Sequence, residues 1–288
     1  FSFAKSAYTF VALSLFTAFF WGCQSSQKNG SIKWPPHPKP PKGYIPAEFQ
    51  QITFEGHSRY PSISRAGRQM VYVSSQQTKH SHPQIYIMDF ANKTSRRITF
   101  QDGANSSPTY SHNDKKLIYS SSTDEIKERP TLIYGKSKVT AISELLPVED
   151  PAELYISYTN GSHIHRLTRS INFDGTPSTH PEQSLIYFSS QRTGNFELYR
   201  MDDFGKKLKQ LTKHSQKNSL YPQLSPSGKY LAWIEFDANL LHSKLVVGNS
   251  NADSAKALTD GIYYVLNPNW HPSENFILFS SNLASYDN

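Results

Sequence analysis

The chain has 288 residues, 37% apolar and 18% charged, with a net charge of +7 and a single cysteine. That apolar fraction is enough for a folded domain and too high for a disordered chain. One cysteine excludes an internal disulfide framework. The basic excess lacks a dense Lys/Arg cluster, which points away from nucleic acid and toward acidic partners or an anionic membrane surface.

Residues 1–23 differ in kind from the rest. Lys5 is the only early charge, and Thr9 to Trp21 is a mostly apolar run. It is too short to span a bilayer as a helix and the right length for the core of a signal peptide. The run ends at Gly22-Cys23, and a sole cysteine after a small residue there resembles the lipobox of bacterial lipoproteins. The resemblance implies lipid attachment at Cys23, although Phe20 and Trp21 depart from the usual pattern. Residues 24–50 hold six of the eighteen prolines together with Lys28, Lys33, Lys39 and Lys42. Such a segment favours extended polyproline conformation, a semi-rigid basic spacer able to touch anionic head groups.

From residue 51 the chain repeats. Proline is followed eleven positions later by an aromatic residue in Pro61/Tyr72, Pro108/Tyr119, Pro177/Phe188, Pro222/Trp233 and Pro268/Phe279. A period of about 40–50 residues is the signature of a repeat architecture. Each unit then reads in order. A polar residue (Ser64, Ser111, His180, Ser225, His271) precedes a tight turn, and an apolar strand ends in the aromatic. A second strand signal recurs at 84–89, 153–156 and 197–202, with a degenerate copy at 244–247. A third recurs at 97–99, 166–168, 210–212 and 257–259. These short β-branched or aromatic runs bounded by turn residues predict four antiparallel strands per unit. The fold class is therefore all-β, a β-propeller of four-stranded blades over residues 51–288. The recurring prolines and aromatics are its structural positions, and the aromatics are expected to stack each blade on its neighbour. Between Ser122 and Pro147 the second unit carries a charged insertion, with Leu132 to Tyr134 as a candidate extra strand. Gln51-Ile52-Thr53, a stray copy of the third signal, is expected to be an outer strand that closes the ring.

The turn Tyr221-Pro222-Gln223-Leu224-Ser225-Pro226-Ser227-Gly228-Lys229, with its apolar strand and Leu-Thr strand, resembles the PD40 type of WD40-like repeat found in TolB-type propellers. The resemblance covers residues 51–288. It implies a periplasmic propeller that binds another protein, usually of six blades and preceded by an α/β domain. Here about four and a half blades are expected, part of a longer ring continuing past Asn288, with a short linker in place of that domain.

Familiar catalytic motifs are incomplete or missing in the sequence. Gly135-Lys136-Ser137 lacks the glycine a phosphate loop needs, since Pro130 stands there, and neither Gly-x-Ser-x-Gly nor His-Glu-x-x-His occurs. The pairs His80/His82 and His163/His165 put two imidazoles on one side of a strand but show no third ligand. His180 and His271 replace serine at the turn position, where they are expected to cap the turn; their other reading is as ligand positions on the central channel. Asp89 and Asp202 are expected to make turns through their own backbone. No catalytic residue, metal site or cofactor is assigned. The function expected is a non-enzymatic scaffold, exported and lipid-anchored in the periplasm or at the outer membrane of a bacterial envelope, with an envelope protein as partner. The alternatives are the accessory propeller of a prolyl-oligopeptidase-type serine peptidase, or a carbohydrate-binding or carbohydrate-processing propeller.

Overall fold

The computed structural model describes residues 51–282 apart from 55, 76–79, 81, 125–150, 241 and 263. Cys23, the linker, residues 132–134 and Gly135-Lys136-Ser137 lie outside the described residues. The first sheet is β1 (Ser58–Ile63), β2 (Gln69–Ser74), β3 (Gln84–Asp89) and β4 (Thr94–Arg97), in that order. The second is β5 (Asn105–Tyr110), β6 (Lys116–Ser121), β7 (Glu153–Tyr158) and β8 (His165–Arg166). The third is β9 (Asp174–Thr179), β10 (Leu185–Thr193), β11 (Asn195–Asp202) and β12 (Lys209–Gln210). The fourth is β13 (Lys217–Leu224), β14 (Tyr230–Asp237), β15 (Ser243–Asn249) and β16 (Lys256–Ala257). In the fifth, β17 (Val265–Trp270) pairs with β18 (Ile277–Ser281). The first strand of each sheet touches the first strand of the next, so β1, β5, β9, β13 and β17 line the axis of a propeller.

Alternation along the second strand of each blade joins the sheets. Leu117 and Tyr119 pack back on Val71, Val73, Ile85 and Ile87 of the first blade. Ile118, between them, faces forward to Ile186 and Phe188. The next blades repeat the pattern, with Tyr187 forward against Leu231 and Trp233, and Ala232 forward into a cluster containing Val265. Tyr119, Phe188 and Trp233, each eleven residues after a proline, are thus fully buried plugs against the preceding blade. Tyr72 is buried too, but in a cluster with Met70, Tyr86 and Met88 of its own blade. These aromatics have fixed cross-strand partners: Tyr72 faces Tyr86, Tyr119 faces Tyr155 and Phe188 faces Tyr199, with ring centroids 5.8–5.9 Å apart. In the fourth blade Trp233 faces Val246, so the apparent degeneracy of that strand is a volume exchange, a larger ring opposite a smaller partner.

Three sequence expectations change. The first is a matter of depth at Phe279, the fifth aromatic of the series. It lies on β18 and packs back, with Ile277, against the cluster of Ala232, Ile234 and Leu245 in the fourth blade, but is less buried than Tyr119, Phe188 and Trp233.

The second change is at Gln51–Thr53, which forms no strand. Ile52 and the following Phe54 are exposed, and the backbone carbonyl of Thr53 accepts only the Gln51 side chain. The fifth sheet has no described outer edge for such a strand to join. Third, the Leu-Thr signal lies just past the outer strand, not within it. The N–H of Ile98, Leu167, Leu211 and Leu258 still donates to Ile85, Leu154, Leu198 and Leu245, each at 2.7 Å. The following threonine then ends the ladder with its hydroxyl. Oγ1 of Thr99, Thr168, Thr212 and Thr259 accepts the N–H of those same four residues at 2.8–3.0 Å.

A residue at or near the start of the third strand completes this tie. In the second and third blades it is a buried glutamate. Glu153 accepts from the Thr168 hydroxyl at 2.5 Å, the Ser170 N–H at 2.5 Å and Arg166 at 3.2 Å. Glu197 accepts from the Thr212 hydroxyl at 2.5 Å and from the His214 N–H. Gln84 serves the first blade by donating to the Gln101 carbonyl at 2.9 Å. Ser243 serves the fourth, accepting the Val265 N–H and donating to the Val265 carbonyl. Each tie pins the segment that leads to the next blade.

Thr212→Val keeps the shape but strands the Leu198 N–H and one Glu197 oxygen; we expect a loss of about 2 kcal/mol or more in urea unfolding, with Thr212→Ser close to wild type. Burial pushes the Glu153 carboxyl up to about 7, outweighing its hydrogen bonds and the Arg166 charge. The folded state therefore holds this proton more tightly than the unfolded chain. Its stabilisation is full below about pH 4.5 and is lost as pH rises through about 7. Asp174, also raised by burial, acts in the same sense. Calorimetry across pH 4.5–8 should show a falling Tm for the wild type and a visibly flatter profile for Glu153→Gln.

Candidate functional site

The five prolines share one backbone device. The residue before each has positive φ: Tyr60 at 52°, Ser107 at 47°, Thr176 at 50°, Tyr221 at 57° and Asn267 at 50°. At the same place the register with the second strand shifts, between Arg59 and Ser62 in the first blade and at the matching positions in the others. This is a β-bulge. Proline fits it because a bulge needs no ladder N–H and proline has none to offer. The bulge bends each innermost strand just before it reaches the turn, so the two residues after proline meet at one end of the channel.

Those residues form the candidate site. Ser62 and Ile63, Thr109 and Tyr110, Ser178 and Thr179, Gln223 and Leu224, with Arg65, line a cavity of about 150 Å³ at the channel mouth. Bonds between blades fix its wall. The Thr179 hydroxyl donates to the Tyr110 carbonyl at 2.7 Å, and the Leu224 N–H donates to Ser178 Oγ at 3.2 Å. Further round, Trp270 Nε1 donates to the Gln223 carbonyl at 3.0 Å. Polar side chains dominate the lining. Ser62 and Thr109 hydroxyls have no hydrogen-bond partner among the described residues, nor has the Arg65 guanidinium an ion pair.

The turns around this mouth are also tied to each other. The Asp114 carboxylate accepts the N–H groups of Arg65 and Ala66 in the preceding turn at 3.0 and 3.1 Å. Glu274 does the same for Ser227, taking both its N–H and, at 2.9 Å, its hydroxyl. Both acids sit at the left-handed position that Gly67 and Gly228 fill in other units, with φ of 57° and 60°. Their role was invisible in the sequence because the position reads simply as a turn.

His180 and His271 lie in the turns of non-adjacent blades, each bonded within its own turn. Nδ1 of His180 accepts the N–H of Glu182 and Gln183 at 3.1 and 3.2 Å, and Nδ1 of His271 accepts that of Ser273 at 3.1 Å. Ser64, Ser111 and Ser225 do the same with their hydroxyls. His180 is buried, and desolvation lowers its pKa, with the nearby Arg65 and His112 acting in the same direction and Glu182 opposing. His271 is exposed and rests edge-on against Phe276. The remaining histidines are not assembled. His80 bonds the Tyr86 hydroxyl at 3.1 Å, His163 packs on Tyr158, and no group of three or more potential metal ligands occurs among the described residues. Asp89 and Asp202 accept N–H groups of their own turns.

A family model described as the TolB beta propeller domain matches residues 141–287. A TolB homolog of Chlorobaculum tepidum is 34% identical over 93 residues, which are 32% of this chain and 20% of that protein. The chain thus spans only a fraction of that relative's length. Among solved structures, a TolB-type protein of Agrobacterium tumefaciens superposes with a TM-score of 0.61 at 18% identity, covering 80% of this chain and 78% of the other. TolB of Acinetobacter baumannii gives 0.55 at 17% identity, covering 79% and 55%. These two likenesses, at low identity, are likenesses of fold.

Gly228 tests how tightly the mouth is built. Its φ is 71°, and an added Cβ would lie 2.5 Å from His180 Nε2 and 2.9 Å from Pro181 Cγ. Gly228→Ala should cost about 1–2 kcal/mol from backbone conformation alone, plus the steric contact. In a His180→Ser background the same substitution should cost measurably less, a coupling that a double-mutant cycle by urea unfolding would read.

Proposed function

The chain belongs to the TolB β-propeller domain family, and on that premise we propose that it is a non-enzymatic protein-binding scaffold of a bacterial envelope, exported by residues 1–23 and held at a membrane through lipid on Cys23. The observation that carries the binding role is the channel mouth. A wall fixed by bonds between blades, and turns fixed by Asp114 and Glu274, present a preformed polar recess at the centre of one face. Preorganisation of this kind lowers the entropy lost on association. The side chains of Asp114, His180, His271 and Glu274 are used as caps and ties of the turns, which suits a rigid recognition surface better than proton transfer. The apolar run ending at Gly22-Cys23 supports export and lipid attachment, and the basic proline-rich spacer after Cys23 supports a tether that keeps a folded ring near a membrane surface.

Two measurements test this reading. Cys23→Ser should abolish incorporation of radiolabelled palmitate and release the protein from the membrane fraction; unchanged labelling would exclude the anchor. A photo-crosslinking amino acid at Ile63, which is 61% exposed beside the mouth, should give one discrete adduct in cells. The same group at Lys217, at the opposite end of β13, should give none. Equal or absent adducts at both positions, or turnover of a substrate by the purified chain, would overturn the scaffold role.

A further inference from the structure

From the donors that face the channel mouth, we infer that this recess is a carboxylate-binding site, and that the partner enters it with a carboxylate flanked by an apolar residue. The inference rests on the scaffold reading above and names the chemistry of its central contact.

The argument starts from an imbalance between donors and acceptors. Arg65 brings five N–H donors and a charge that no ion pair among the described residues neutralises. The hydroxyls of Ser62 and Thr109 add two free donors. Ser178 Oγ spends a lone pair on the Leu224 N–H, so its own hydrogen remains available. Against these, no carboxylate lines the cavity. Two of the carbonyl acceptors at its wall are already used, that of Tyr110 by Thr179 and that of Gln223 by Trp270, and the Gln223 side-chain amide and the Tyr110 hydroxyl can each donate as well as accept. The nearest acid on this turn, Asp114, spends its two oxygens on the Arg65 and Ala66 N–H groups. Asp114 thereby holds the Arg65 backbone in place and leaves the guanidinium to face an incoming group.

Geometry narrows the ligand. The recess of about 150 Å³ has room for a carboxylate with a few further heavy atoms, the rest of a ligand extending out of the mouth. A planar guanidinium fork matches a carboxylate with two parallel hydrogen bonds. Ile63, largely exposed, and Leu224 offer apolar contact at the same rim. An extended peptide presenting either its C-terminus or an Asp or Glu side chain satisfies all of these features.

Amide chemical shifts of the isotope-labelled full chain provide the test. The probes are acetyl-Ala-Ala-Leu with a free C-terminus, its C-terminal amide, and acetyl-Leu-Glu-Leu amide. We expect the free-acid peptide, the glutamate peptide or both to shift the amides of Ser62, Thr109 and Ser178 with a saturable dependence, and the tripeptide amide to leave them unmoved. The two responsive probes separate a C-terminal carboxylate from a side-chain one. Arg65→Gln should weaken the response at least tenfold, whereas Arg68→Gln, an exposed change in the same turn outside the cavity, should leave it unaltered. Raising salt from 0.05 to 0.5 M should weaken it further. No shift with any probe at millimolar concentration, an equal response to the amide, or an unchanged affinity in Arg65→Gln would overturn the inference. A discrete crosslink at Ile63 alongside those negative results would retain the scaffold and reject only the carboxylate.

Discussion

Everything in this ring depends on the fact that a four-stranded blade has two apolar faces and can bury neither alone. The second strand solves this by alternation. Successive residues such as Leu117, Ile118 and Tyr119 point backward, forward and backward, and each is almost wholly inaccessible. Burying such a side chain contributes about 2–3 kcal/mol, so every interface adds several such increments, and no blade owns its own core. Hydrogen bonds then make the arrangement specific. The threonine just past each outer strand and a residue at or near the start of each third strand hold the connection to the next blade, which sets where that blade must begin.

The scaffold was legible in the sequence because its determinants are side chains with fixed spacing. Proline marks the bulge in all five units. The aromatic eleven residues later is a buried plug in Tyr119, Phe188 and Trp233, where full sheets stand on both sides. Phe279 has the same spacing and packs back on the fourth blade in the same way, less deeply. What the sequence hid were features held by backbone geometry. Tyr60, Ser107, Thr176, Tyr221 and Asn267 share a positive φ and no side-chain property. Gln51–Thr53 copied the composition of the third signal yet forms no strand. The Leu-Thr pair gave the right place and the wrong element, since its threonine replaces the ladder instead of continuing it.

The candidate site was only half readable. His180 follows Thr179 of the cavity wall directly, and both His180 and His271 cap their turns without lining the cavity. Arg65 carried no sequence signal: it is one basic residue in a polar turn, among thirty lysines and arginines. Its significance comes from neighbours distant in sequence, Asp114 behind it and Thr109 and Ser178 across the recess. Glu274 likewise reads as an ordinary turn residue until Ser227, in the preceding turn, is seen to donate to it.

The bulge before each proline separates two kinds of information. Backbone direction at the mouth is set by proline and by the shifted register, which are the same in every blade. The two side chains that follow differ from blade to blade: Ser62 and Ile63, Thr109 and Tyr110, Ser178 and Thr179, Gln223 and Leu224. Some of them brace the frame, as Ser178 and Thr179 do by bonding the neighbouring blades and Tyr110 and Leu224 by packing in the core. At the others, Ser62, Ile63 and Thr109, recognition chemistry can be rewritten one position at a time while the frame stays where it is.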